Sequence, residues 1–191
     1  MRAIPVKVII TARSANYTLG PDMKVTFTKT AQRRYRVSVE GPGVVSSFME
    51  PAAGYDTRLP HDMAHFVVEN ELGINGGVFG QLAAGGNART FRPTIERRGR
   101  KVAKRGNRIA VANRKDALLS ERLVCVACQT WNNVLTDLTP VQGVSVADIR
   151  RVCREFDLVS AVWSKLATGE SMTLLWHGGA GQTGRLRPRR R

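Results

Sequence analysis

The sequence predicts an α+β fold: a small, mostly antiparallel sheet, built from an N-terminal hairpin and a late C-terminal strand, packed with about four helices. Three observations lead there. Residues 23–30 (MKVTFTKT) and 34–40 (RYRVSVE) alternate apolar and polar side chains, the period of a strand with one buried face. Residues 117–138 and 144–167 instead repeat apolar side chains every three to four positions, the period of a helix with one buried face. SMTLLWH (171–177) is strand-like again after Gly169-Glu170, and a late strand can return to the first sheet.

Taken in order, IPVKVIITA (4–12) is a short β-rich run. The two alternating segments flank a polar turn near Thr30–Arg33 and form an antiparallel hairpin, which Gly41-Pro42-Gly43 ends. PAAGYDTR (51–58) is a loop leading to Leu59-Pro60. Proline at a helix start has its φ preset and loses no bond, and Asp62 suits the positive end of the dipole. That helix runs through HDMAHFVVENEL and stops at Gly73, as glycine permits. GGVFGQLAAGG (76–86) suggests a second, short helix. In the helix within 144–167, Ser145 is placed to cap the N-terminus, with Asp148 as its reciprocal partner. The chain is read as a single domain over 1–184, with 92–116 a basic flexible insertion and 185–191 an Arg-rich disordered tail.

The formal net charge is +15 over 191 residues, and it is unevenly placed. Residues 92–115 carry ten bases against one acid (Glu96), and 185–191 add five arginines. The remaining 160 residues are almost neutral. Two cationic segments on a neutral body therefore suggest DNA, RNA or another polyanion as partner. The residues involved would be Arg97, Arg98, Arg100, Lys101, Lys104, Arg105, Arg108, Arg187, Arg189 and Arg190. No apolar run approaches the roughly eighteen residues of a membrane span, so no membrane partner is expected. Three cysteines are too few for a disulfide framework, and the N-terminus lacks a secretory signal, so the expected compartment is the cytoplasm.

Two of only three histidines, His61 and His65, stand four apart on the first helix, and Glu69 follows four later. At 100° per residue they sit at about 0°, 40° and 80°, on one side. Imidazoles at i and i+4 can hold one zinc-like divalent ion, with a carboxylate as third ligand and His177 as the fourth. Asp62 stands where the HExxH helix has its glutamate base. Being one methylene shorter, it makes standard proteolysis doubtful, although some hydrolytic use of the ion, with Asp62 handling a proton, stays open. The opposing reading is that imidazole and carboxylate satisfy each other in the core, because Val68 and Leu72 share that face.

LPHDMAHFVVENELG, the following GGVFGQLAAGG and the late SMTLLWH resemble segments shared by a group of bacterial proteins with no assigned activity. The resemblance covers about a third of the chain. It implies a single cytoplasmic bacterial domain and no mechanism, and neither basic segment belongs to it.

Other motifs carry less. Cys125 and Cys128 form a CxxC in mid-helix, where cysteine acts as a small apolar residue rather than a stabilised thiolate. GGAGQTGR (178–185) lacks the Lys and Ser/Thr of a phosphate-binding loop. Gly73, Gly76, Gly77 and Gly80 suit close helix packing, or a backbone approach to an anion at the second helix. Tyr35 among Arg33, Arg34 and Arg36 is thin evidence for base stacking. A metal-binding protein, a polyanion binder and a non-catalytic scaffold remain the three readings.

Overall fold

The alternating segments pair as the sequence suggests. A computed structural model describes residues 7–10, 23–86, 88, 90–94 and 100–177, with side chains from 23 onward except at 100–103. The strands are β1 (Lys7–Ile10), β2 (Met23–Ala31), β3 (Arg34–Glu40), β4 (Ser47–Met49), β5 (Arg92–Pro93) and β6 (Ser171–Trp176). They form one sheet in the order β1-β6-β2-β3-β4-β5. β2 and β3 make the expected hairpin around Gln32-Arg33, with Arg33 at φ 58. The late strand β6 does rejoin the sheet, antiparallel to β2 with Val25 opposite Leu174. Only β1 runs parallel to its neighbour, β6.

Alternation decides the sheet's two faces. Val25, Phe27, Tyr35, Val37, Met172 and Leu174 are buried, while the other face carries a hydroxyl ladder, Thr26 to Thr173 (2.9 Å) and Thr28 to Ser171 (2.8 Å). Among the described residues there are five helices rather than about four: α1 (His61–Leu72), α2 (Val78–Ala83), α3 (Arg100–Ala112), α4 (Arg114–Trp131) and α5 (Val146–Trp163). The buried face of the sheet meets α1 through Phe66, edge-on to Phe27 and Trp176. It meets α5 through Trp163, edge-on to Tyr35 at 5.9 Å. α4 packs on α1 and α5 with Leu123, Val124 and Ala127.

Helix ends follow local chemistry. Gly73 takes the left-handed conformation (φ 66) that closes α1, with its N–H on the Glu69 carbonyl. The Ser145–Asp148 capping box forms as read: the Ser145 hydroxyl accepts from the Asp148 N–H at 3.1 Å, and the Asp148 carboxylate accepts from the Ser145 N–H at 3.2 Å.

One local expectation changes. Much of the basic segment taken as a flexible insertion is helical, as α3 and the start of α4. Arg, Lys and Ala are good helix formers, and exposed like charges oppose a helix by only about 0.2–0.5 kcal/mol per pair. The body also holds α3 directly: Gly106 is buried, the Ile109 side chain lies against Gly86, and Arg105 Nη2 donates to the Ala84 carbonyl at 3.0 Å. No helix among the described residues is long and apolar enough to cross a membrane.

Candidate metal centre

Helix periodicity puts His61 and His65 side by side, their ring centroids 4.6 Å apart and their planes at 67°. The third potential ligand is not Glu69. It is Glu121, brought by α4 as that helix packs on α1. One ligand atom from each of His61, His65 and Glu121 lies within 4.8 Å of the others. Ligand atoms around a tetrahedral zinc sit about 3.4 Å apart. His61 and Glu121 are exposed and His65 is buried, so the two surface side chains are the ones that can close the gap.

Glu69 is fully buried and spoken for. Its Oε1 accepts from the Val78 N–H and its Oε2 from the Phe79 N–H, both at 2.9 Å, at the start of α2. Its Oε1 also accepts from the Ser120 hydroxyl at 2.8 Å. A carboxylate thereby satisfies backbone donors that a helix N-terminus leaves free. Gly77 makes the room: a Cβ there would lie 2.2 Å from the Glu69 carboxyl carbon. The anion approached by the glycine-rich turn is thus the chain's own side chain.

The same contacts orient His65. Its Nδ1 lies 3.1 Å from Ser120 Oγ, whose single proton is committed to Glu69. Ser120 can therefore only accept, and His65 Nδ1 must donate. The direct Nδ1–Glu69 separation of 3.7 Å is too long for a hydrogen bond. His65 Nε2 is left facing Glu121 Oε2 at 3.5 Å. Burial lowers the basicity of His65, but the Glu69 contact and the charges of Glu121, Glu69 and Asp62 outweigh it, so its pKa is raised. A lone pair facing a carboxylate is repulsive, and a cation at Nε2, either a proton or a metal ion, removes that repulsion.

The remaining sequence candidates lie elsewhere. The Tyr35 hydroxyl lies 2.5 Å from both Asp62 Oδ2 and the Ala53 carbonyl and shares its one proton between these two acceptors. Burial raises the Asp62 pKa, against the hydrogen bond from Tyr35 and the nearby His61 and His65. His177 follows β6, its N–H on Asn70 Oδ1 at 3.0 Å; Asn70 is about 13 Å along α1 from His61, and His177 is not in the three-residue group. Cys128 is half-buried, and burial pushes its thiol up to about 11, against thiolate chemistry. Of the cationic candidates, Lys104, Arg105 and Arg108 are exposed on α3. Arg100 and Lys101 lie in α3 with undescribed side chains, and Arg97, Arg98, Arg187, Arg189 and Arg190 lie outside the described residues, as does 178–185.

Beside His61 is a cleft of about 210 Å³, lined also by Asp56, Arg58, Cys128, Trp131 and Asn132. Arg58 lies over the Trp131 ring at 4.2 Å and donates to Asn132 Oδ1 at 3.2 Å. Gly54 (φ +68) also lines this cleft and packs on His61, where a Cβ would come within 2.6 Å of the histidine Cβ. Sequence reasoning found the histidine pair and missed Ser120 and Glu121. The available signal was a serine, Ser120, on the apolar stripe of α4 beside Leu123, Val124 and Ala127. The chain matches no family model, no curated protein and no solved structure.

Proposed function

We propose that the protein binds one zinc-like divalent ion through His61, His65 and Glu121, with Glu69 acting on His65 through Ser120 rather than as a ligand. The observation that carries this reading is the contact of His65 Nδ1 with Ser120 Oγ, which is itself bonded to Glu69. The Glu69–Ser120 pair holds the proton on Nδ1 and turns Nε2 toward Glu121, the arrangement by which proteins orient histidine ligands. Three protein ligands would leave a coordination position for water, and the chemistry such an ion would supply there is the activation of water for hydrolysis. The cleft beside His61 is where a substrate would reach it. Asp62, held by Tyr35, sits next to this centre without joining it.

The test is direct. Chelator-stripped protein is titrated with Zn²⁺ by calorimetry in buffers of different ionisation enthalpy. One equivalent is expected, with proton release below neutral pH because the ion displaces a proton from His65. His65→Ala and His61→Ala should abolish stoichiometric binding, Glu121→Gln should weaken it at least tenfold, and His177→Ala should leave it intact. Absence of stoichiometric binding, or binding indifferent to His61→Ala and His65→Ala, overturns the proposal.

A further inference from the structure

α3 and α4 behave as one bent rod. Across the junction the Asn113 N–H donates to the Ile109 carbonyl and the Ala117 N–H to the Asn113 carbonyl, both at 3.0 Å, so the helical bond pattern continues through Asn113. Asn113 itself departs from helical geometry (φ −104, ψ 15), so the rod bends there and the helical phase carries across only approximately. At 100° per residue, Lys104, Arg108, Lys115 and Arg122 fall within about 40° of one another and run about 27 Å along the rod. The buried positions Gly106, Ser120, Leu123, Val124 and Ala127 centre about 145° away. All four bases are exposed, and none makes an ion pair among the described residues.

The acids are sorted the other way. Between 100 and 131 the only acids are Asp116 and Glu121. Asp116 packs against Gly76, where a Cβ would meet its carboxylate, and Glu121 faces His65. Both carboxylates are exposed but lie off the stripe, against Gly76 and His65 of the body, and the outer stripe carries positive charge alone.

We infer that this outer face of the α3–α4 rod binds the phosphate backbone of duplex nucleic acid, without reading its sequence. A length of about 27 Å matches about eight base-pair steps, with one phosphate charge every 1.7 Å or so of duplex axis. Single strands are held largely by stacking on aromatic rings, and the rod's one aromatic residue, Trp131 at its end, lies about 165° from the stripe and packs on Phe156. An acidic membrane would require a broad apolar face beside the bases, whereas the described part of the rod exposes two large apolar side chains, Val111 and Leu118, which flank the stripe and are too few to form such a face. The inference uses Arg122, outside the segment whose composition first suggested a polyanion, and it is independent of the metal reading.

The test is fluorescence anisotropy on the full chain with two unrelated 24-base-pair DNA duplexes over a range of salt. A single strand of equal length and vesicles containing phosphatidylserine are run alongside. Both duplexes should bind alike and more tightly than the strand or the vesicles. The variant Lys104→Gln/Arg108→Gln/Lys115→Gln/Arg122→Gln should flatten the slope of log K against log salt by about 3.6, at about 0.9 per phosphate contact. A control of equal charge loss at exposed sites elsewhere, Arg34→Gln/Arg150→Gln/Arg154→Gln/Lys165→Gln, should change it by less than about 1. Circular dichroism verifies that both variants keep the wild-type helical signal. Equal losses in the two variants, an unchanged slope in the first, or preference for the strand or the vesicles overturns the inference.

Discussion

Replacing Glu69 by glutamine tests the buried centre of the structure. The side chain keeps its length, but an NH₂ group now stands where a carboxylate oxygen accepted a bond. Glu69 takes three donors, from Val78, Phe79 and Ser120, and an amide can satisfy those around only one of its two ends. A lost bond to a charged acceptor costs about 1.5–3 kcal/mol, and a buried donor left without a partner about 1–3 kcal/mol more. Glu69→Gln should therefore destabilise the protein by about 3–5 kcal/mol, a large part of the roughly 5–15 kcal/mol that holds a domain folded. Urea unfolding followed by far-UV circular dichroism reads this as a lower midpoint at unchanged slope. Amide exchange should quicken at whichever of Val78 and Phe79 faces the NH₂ end, more than elsewhere in α2. A loss below about 1 kcal/mol would refute the reasoning, because it would mean that these donors are satisfied without the carboxylate.

Two further outcomes follow from named contacts. Gly77 has an ordinary φ of −72, so alanine is conformationally acceptable there, yet its Cβ would stand 2.2 Å from the Glu69 carboxyl carbon. Gly77→Ala should cost about 2–4 kcal/mol in the wild type and much less in a Glu69→Ala background, measured by a double-mutant cycle in urea; equal costs in both backgrounds would reject the steric account. Asp148 has its carboxyl pKa lowered, first by the Ser145 hydroxyl and also by Arg151, against a desolvation that raises it. A folded-state pKa below the unfolded one contributes stability that is complete above the unfolded value of about 3.9 and lost as pH falls through the folded value. The stability gap between wild type and Asp148→Ala should thus be about 1 kcal/mol or less near neutrality and shrink in acid. Denaturant unfolding at a series of pH values checks this, and a gap that widens on acidification would contradict it.

What could be read in the sequence was what neighbours in the chain decide. The β2–β3 hairpin, the return of β6 and the Ser145–Asp148 box depend on alternation or on groups three residues apart, and each forms as expected. The basic segment was misleading because charge repulsion is conspicuous in a sequence and weak at a solvated surface, whereas Gly106 and Ile109, which dock α3, look unremarkable in a list of residues. Glu69 shows the limit more sharply. Helical spacing puts it on the histidine face, but its carboxylate goes to the N-terminus of α2, which only the chain reversal at Gly73 brings within reach. Ser120 and Glu121 lie more than fifty residues from the histidines they contact, and no local period connects them.

The two readings of the histidine helix, a satisfied buried pair or a set of metal ligands, compete only while the imidazole is treated as one group. The structure divides it. On the inner side, Nδ1 is satisfied by Ser120 and through it by a carboxylate that also caps α2. On the outer side, Nε2 faces an exposed glutamate and an exposed histidine across a gap that rotation of these two side chains can close. Satisfying the inner nitrogen is what would make the outer one a ligand in the proposed centre, because a ring free to turn would present either nitrogen and lose orientation entropy on binding an ion. Glu69 thus belongs to the core by its burial and to the metal reading by its effect on His65, which is why spacing alone marked it as important and gave it the wrong task.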